Sequence, residues 1–109
     1  MSIVSVNGAV VDGEYRYLLW REIPYQGKSR LLWIMLNPST ADAEVDDPTI
    51  RRCVGFARRD GFSGIGVFNL YAYRATKPAD LWKAADPVGP ENDSTIGAML
   101  VERSYFDVP

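Results

Sequence analysis

The run Leu31-Leu32-Trp33-Ile34-Met35-Leu36 constrains this chain more than any other stretch. Consecutive apolar residues bounded by polar punctuation read as a central strand buried on both faces. Asn37-Pro38-Ser39-Thr40-Ala41-Asp42 follows directly. Pro38 has no backbone donor and drives Asn37 towards an extended conformation, so the ladder stops there. The carboxyl end of the strand then presents an amide and two hydroxyls. In open α/β sheets, ligands bind at that end.

A second core strand is predicted at Ile65-Gly66-Val67-Phe68-Asn69-Leu70, with a helix in between. Asp47-Pro48 supplies a cap and a proline at the first helical position. Ile50, Cys53, Val54 and Ala57 form one stripe, and Arg51, Arg52, Arg58 and Arg59 lie on the opposite side. Gly61 ends the helix. Strand, helix, strand in this order implies a parallel pair with a crossover. Asn37 and Asn69 would then end neighbouring strands, with Tyr71, Tyr73, Arg74 and Thr76 extending beyond the second.

Upstream, residues 3–6 read as a short strand, Asn7-Gly8 as a hairpin turn, residues 9–11 as its return and Asp12-Gly13 as another turn. Tyr15 to Trp20 reads as a longer strand. Strict alternation puts Tyr15, Tyr17 and Leu19 on one face and Arg16, Leu18 and Trp20 on the other. Downstream, Pro78 opens a short helix through residues 79–85 that buries Leu81, with Trp82 as a second candidate. Residues 86–90 form a loop. Glu91-Asn92-Asp93-Ser94 then starts a last helix with Ile96, Met99 and Leu100 as its apolar stripe. The expected fold is α/β, a three-layer α/β/α arrangement. Its mixed sheet has parallel core strands at about 31–36 and 65–70 and an amino-terminal antiparallel meander.

With 109 residues, a single domain over 1–109 is expected. The net charge of -2 lacks the basic signature of a dedicated duplex-DNA binder, although it leaves room for local patches. The chain has no histidine, which removes the usual general base and the commonest zinc ligand. Chemistry then falls to carboxylates, amides, hydroxyls, Lys, Arg, or bound metal and water. The lone cysteine, Cys53, excludes an internal disulfide and reads as a packed thiol. No signal peptide is recognisable, and no apolar run nears the ~20 residues that span a bilayer. A cytoplasmic protein with no membrane partner and no cofactor is expected.

Each candidate residue has a functional and a plain structural reading. Asn37, Pro38, Ser39 and Thr40 form either a ligand- or water-positioning loop or a turn bonded to its own backbone. Asp42, Glu44, Asp46 and Asp47 are either hard-metal ligands or a solvated loop with a helix cap. Asp42, nearest Asn37, is the candidate general base. The arginine stripe is a phosphate-facing or a simply wet helix face, and Arg51 and Arg52 lie closest to the candidate site. Asn69 is unusual because Asn is depleted in strands. Tyr71 or Tyr73 could stack on a base or pack in the core. Arg74 could bind phosphate or pair with a carboxylate. Asn92 and Asp93 cap the last helix or line the pocket.

Four ordered motifs resemble the bacterial and phage domain-of-unknown-function family 1643. They are Leu36-Asn37-Pro38-Ser39-Thr40-Ala41-Asp42, Asp47-Pro48-Thr49, Asn69-Leu70-Tyr71-Ala72 and Asp86-Pro87-Val88-Gly89-Pro90-Glu91-Asn92-Asp93. That family's name carries no activity. Asn37-Pro38, Gly66-Val67-Phe68-Asn69-Leu70 and Arg74-Ala75-Thr76 are in addition similar to the mismatch-specific uracil/thymine-DNA glycosylases. This second resemblance implies a strand-end pocket for a flipped base, with Asn37 positioning the attacking water. Ser39 stands where those enzymes usually have Gly, and one extra residue separates Asn69 from Arg74. Both families continue into further strands, so a truncated member of a longer family is expected here.

The leading expectation is a nucleotide- or nucleic-acid-base-processing protein, an N-glycosylase-like hydrolase. Asn37 and Asp42 would be catalytic. Pro38, Ser39, Thr40, Arg51, Asn69, Tyr71, Arg74, Asn92 and Asp93 would contact a nucleotide or a single-stranded or flipped-base nucleic acid. The alternatives are a non-catalytic binding module or inactive fragment, and a metal-dependent hydrolase built on the acidic loop.

Overall fold

Strand β1 (Asn7–Asp12) turns through Gly13 into β2 (Tyr15–Glu22), as Asp12-Gly13 predicts. β3 (Arg30–Met35), α1 (Pro48–Asp60) and β4 (Gly64–Asn69) form the expected strand–helix–strand unit. A short α2 (Pro78–Leu81), then α3 (Asn92–Val101) and β5 (Phe106–Asp107), complete the chain. The computed structural model describes residues 7–101 and 106–107. The predicted strand at residues 3–6 lies outside them. The fold is α/β with a mixed sheet in the order β1-β2-β4-β3-β5. β3 runs parallel to β4 and β5, while β2 runs antiparallel to β1 and β4.

α1 begins and ends where its sequence says. The Asp47 carboxylate accepts the Ile50 N–H, Pro48 opens the first turn, and Gly61 closes the helix in the left-handed conformation at φ 85°. Its stripe of Ile50, Cys53 and Ala57 is buried against Leu19, Ile65 and Val67. Burial pushes the Cys53 thiol pKa up, as for a packed side chain. A second cluster, Leu18, Leu32 and Phe68, takes Ile96 and Met99 of α3 together with Trp20. The side chain of Leu100 lies outside the described set.

The structure corrects the sequence reading at four places. First, Asn7 and Gly8 are not a turn but pair with Arg21 and Trp20 in β1. Gly8 is glycine because the Trp20 ring lies on it, and a Cβ there would sit 2.2 Å from the indole. Cross-strand packing outweighs the local turn preference. Second, β2 does not alternate strictly. Val10 pairs with Leu18 and Val11 with Arg16, so a bulge absorbs Tyr17. Arg16 thereby joins Leu19 and Arg21 on the α1 side, while Leu18 and Trp20 take the α3 side.

Third, the central strand is β4, which is buried at every position, and not the 31–36 run. β3 is joined by β5 only at Arg30 and Leu31, which leaves Ile34 46% and Leu36 48% exposed. Fourth, α2 stops at Leu81. Leu81 is buried but Trp82 is 61% exposed.

Among the described residues, no helix is long and apolar enough to cross a membrane. The β2–β4 contact is close at Gly64, where a Cβ would meet the Arg21 carbonyl oxygen at 2.5 Å. Gly64→Ala is therefore expected to destabilise the fold by about 1–3 kcal/mol through overpacking against backbone. Urea denaturation measures this, and an unchanged midpoint would contradict the strand spacing.

Candidate functional site

The chain leaves β3 and crosses to α1 through residues 36–47, over the carboxyl ends of β3 and β4. An irregular loop has no ladder to satisfy its carbonyls, and they must be met by other donors. Three arginines meet them here. Arg74 donates to the Ser39 and Thr40 carbonyls at 3.3 and 3.0 Å. Arg16 donates to Ala41 at 2.9 Å, and Arg21 to Asp42 and, at 3.5 Å, to Val45. Arg21 also pairs with the Asp46 carboxylate at 2.7 Å. The four successive carbonyls from Ser39 to Asp42 are thus all held by guanidinium groups. Arg16 and Arg21 share the required face only because of the bulge in β2.

The loop's carboxylates have separate tasks. Asp42 accepts the Glu44 and Val45 N–H groups at 2.9 and 2.8 Å, which closes a turn. Those amide bonds hold its carboxyl pKa below the ordinary range, with Arg74 and Arg21 adding to the effect. Asp47 takes the Ile50 N–H on one oxygen and the Ala41 N–H on the other. Among the described residues, no three His, Cys, Asp or Glu side chains group as a metal site.

Beneath the loop is a cavity of about 40 Å³ lined by Arg16, Asn37, Ser39, Asp47, Thr49 and Asn69, with Met35, Pro38 and Ile50. Asn69 ends β4, paired with Met35, and Asn37 lies two residues beyond Met35. The two amides therefore share one rim of the sheet. Asn37 Nδ2 donates to the Ala75 and Pro38 carbonyls at 2.8 and 3.1 Å, which fixes the amide orientation and leaves Oδ1 as the acceptor. Asn69 is 1% exposed, and neither its Nδ2 nor its Oδ1 has a protein partner. The Nε of Arg16, a residue 2% exposed, is likewise buried and unmatched. Burial lowers the Arg16 pKa to about 10; Asp47 opposes the shift, and Arg74 and Arg21 add to it. The guanidinium stays charged at neutral pH. Buried polar groups without partners are costly, and three such atoms belong to residues lining this cavity.

The structure brings Asn37, Pro38, Ser39 and Asn69 together. Thr40 is exposed and contributes its carbonyl to Arg74. Asp42 and Arg74 lie instead in an open groove of about 370 Å³ with Ala9, Val11, Ala43, Glu44 and Val45. Tyr71 packs edge-on against Trp82, ring centroids 5.2 Å apart. Arg51 is exposed and donates to the Asp46 carbonyl. Asn92 is buried and its Nδ2 holds the Asn69 and Leu70 carbonyls, pinning the end of β4, while Asp93 is exposed. The sequence does not single out Arg16 or Thr49 as site residues, and it offers Asp47 only as a cap or metal ligand. Arg16 carried a signal: a charged residue inside an apolar strand is seldom buried without a defined task.

The family model of a protein of unknown function, DUF1643, matches residues 16–105. The chain belongs to the DUF1643 family. Its match spans all the cavity residues, from Arg16 to Asn69, and the Asn92 clip. No curated protein and no solved structure matches the chain.

Two outcomes follow for this DUF1643 protein. Replacing Arg21 with Met strands Asp46 and two loop carbonyls, and a loss of about 3–5 kcal/mol is expected by chemical denaturation. A loss below about 1 kcal/mol would mean the loop holds itself. The Asp42 carboxyl is depressed in the fold, so its contribution is present above its ordinary value of 3.8 and is lost as pH falls through the lower folded value. NMR titration of Asp42 should give a midpoint below 3.8, with the Glu44 and Val45 amides shifting at the same pH. A midpoint at or above 3.8 contradicts the turn.

Proposed function

We propose that this protein processes nucleotides or nucleic-acid bases, with the cavity at the ends of β3 and β4 as its recognition site. The observation that carries the reading is Asn69. It is a buried carboxamide whose donor and acceptor are both unmatched and whose side chain lines the cavity. A carboxamide with both atoms free pairs with a donor–acceptor edge, such as a nucleobase presents. The positive Arg16 and the negative Asp47 in the same lining suit a neutral polar ligand better than a bare ion. The similarity of the Asn37-Pro38 and Asn69-Leu70 motifs to uracil/thymine-DNA glycosylases supports the same reading, and the packing of α1 and α3 into separate core clusters accords with the three-layer fold such a protein would have.

In the hydrolytic form, Asn37 Oδ1 and the Asp47 carboxylate orient a water. That water adds to the sugar carbon as the bond to the base nitrogen breaks; the base leaves with the electron pair, and the water's surplus proton passes to the Asp47 carboxylate and from there to the departing base. Asp42 lies in a separate groove with Arg74 and its carboxylate closes a turn, so it takes no part in this step. The cavity has room for roughly two or three waters and not for a ring. A base must therefore displace the arginine-held loop, which makes entry a slow, induced-fit step. A cytoplasmic setting accords with such a ligand.

The test is ligand-detected NMR with nucleosides and short single-stranded oligonucleotides on wild type and Asn69→Leu. Each hydrogen bond lost contributes about 0.5–1.5 kcal/mol, so the variant should bind about ten- to a hundredfold more weakly. It should also be as stable as wild type or up to about 1 kcal/mol more stable, because unmatched buried polar atoms are removed. Absence of nucleoside binding to wild type would sink the reading. Binding without release of free base from an oligonucleotide would select the non-catalytic binding module over the hydrolase.

A further inference from the structure

The exposed side of α1 has a feature that the base pocket does not use. Arg51 and Arg58 are seven residues apart, as are Arg52 and Arg59. Each pair therefore lies nearly in line along the helix, about 10 Å apart. Gly55 is three residues from Arg52 and Arg58 and four from Arg51 and Arg59, so it occupies the centre of the four. It is exposed, its backbone is helical, and a Cβ built on it meets nothing within 4 Å. No packing contact calls for glycine there, and glycine weakens a helix interior relative to alanine. A bare helix backbone leaves room for close approach from outside the protein.

The charge around Gly55 is one-sided. α1 carries four arginines against a single carboxylate, Asp60, on a chain of net charge -2. Arg59 pairs with Asp60 at 3.0 Å. Arg51 donates to a neutral carbonyl, and neither Arg52 nor Arg58 has an ion-pair partner among the described residues. Phe56 borders the patch, 46% exposed, with the Arg59 guanidinium 4.7 Å from its ring centre. The first turn of α1, through Thr49 and Ile50, lines the cavity.

We infer that this face is a track for the sugar-phosphate backbone of single-stranded nucleic acid. Gly55 is the floor on which the strand lies, and the four guanidiniums are its walls. Phe56 offers a ring at the edge for a base to stack on. Guanidinium forks suit phosphate oxygens, and the bare helix surface brings the strand near enough to reach them. An anionic membrane fits less well, because a helix lying on lipid turns its apolar face outward. The apolar stripe of α1 is buried inward at Ile50, Cys53 and Ala57. The track goes beyond the base-pocket reading and stands on different residues.

Fluorescence anisotropy with a labelled oligothymidylate of about twelve nucleotides tests it, between about 50 and 200 mM salt. Log affinity should fall with log salt at a slope of about -2 to -3, and Arg52→Gln and Arg58→Gln should each reduce the slope by about 0.7. Gly55→Leu should leave Tm unchanged or a few degrees higher, yet weaken binding at least tenfold. An oligomer lacking bases should keep the same slope. Wild-type affinity in Gly55→Leu, or a slope unmoved by the arginine variants, would overturn the track. Binding to phosphatidylserine vesicles without binding to the oligomer would overturn it in favour of a membrane. If Asn69→Leu loses nucleosides but keeps the slope, pocket and track are separate. If nucleosides never bind but the slope and the Gly55→Leu effect hold, the base pocket alone falls.

Discussion

Everything at the candidate site hangs on three guanidinium groups that meet the carbonyls of one loop. Leu36 and Pro38 still receive the Tyr71 and Ala75 N–H groups, but from Ser39 onward the loop over the ends of β3 and β4 has no strand beside it to donate to its carbonyls. Arg16, Arg21 and Arg74 supply charge-assisted donors to the carbonyls of Ser39, Thr40, Ala41, Asp42 and Val45. The loop is thereby given one path. That path puts Asn37 and Ser39 over the end of the sheet and delivers Asp47 to the start of α1. Asp47 then caps the helix and reaches back to the Ala41 amide, so helix and loop brace each other.

The cost of this arrangement is local. Arg16 is buried with its Nε unmatched, and Asn69 brings two more unmatched atoms into the same space. Natural folds rarely tolerate such a cluster where only packing is at stake, since an apolar side chain of similar shape removes the penalty. Its position at the carboxyl rim of parallel strands is where an α/β sheet places its ligands. Asn92 works from the other side, tying the carbonyls of Asn69 and Leu70 and so holding the end of β4 steady. The first turn of α1 gives Thr49 and Ile50 to the cavity, while its arginines lie on the exposed side of the helix.

Much of the frame was legible in the chain. Asp47-Pro48 and Gly61 bound α1 as their chemistry demands, and its buried stripe follows helical spacing. The Asn37–Pro38 stop and the Asn69 strand end gave two amides on one rim, which the parallel register of β3 and β4 produces. The rest depended on distant partners. Gly8 resembles a turn residue until Trp20 is laid across it. The apolar run at 31–36 resembles a central strand, yet β4 holds the middle of the sheet. Arg16 is assigned to the wrong face by any rule of alternation, because a single bulged residue reverses the count.

The sequence by itself determined where α1 begins and ends, which of its faces is buried, and that two amides close adjacent strands. These depend on spacing and capping within a few residues, which local stereochemistry settles. Only the tertiary structure decided the strand order, the bulge that turns Arg16 inward, and the convergence of three arginines on one loop. The arginine contacts join residues 21 to 35 positions apart, and no local pattern encodes which distant carbonyl a guanidinium will find.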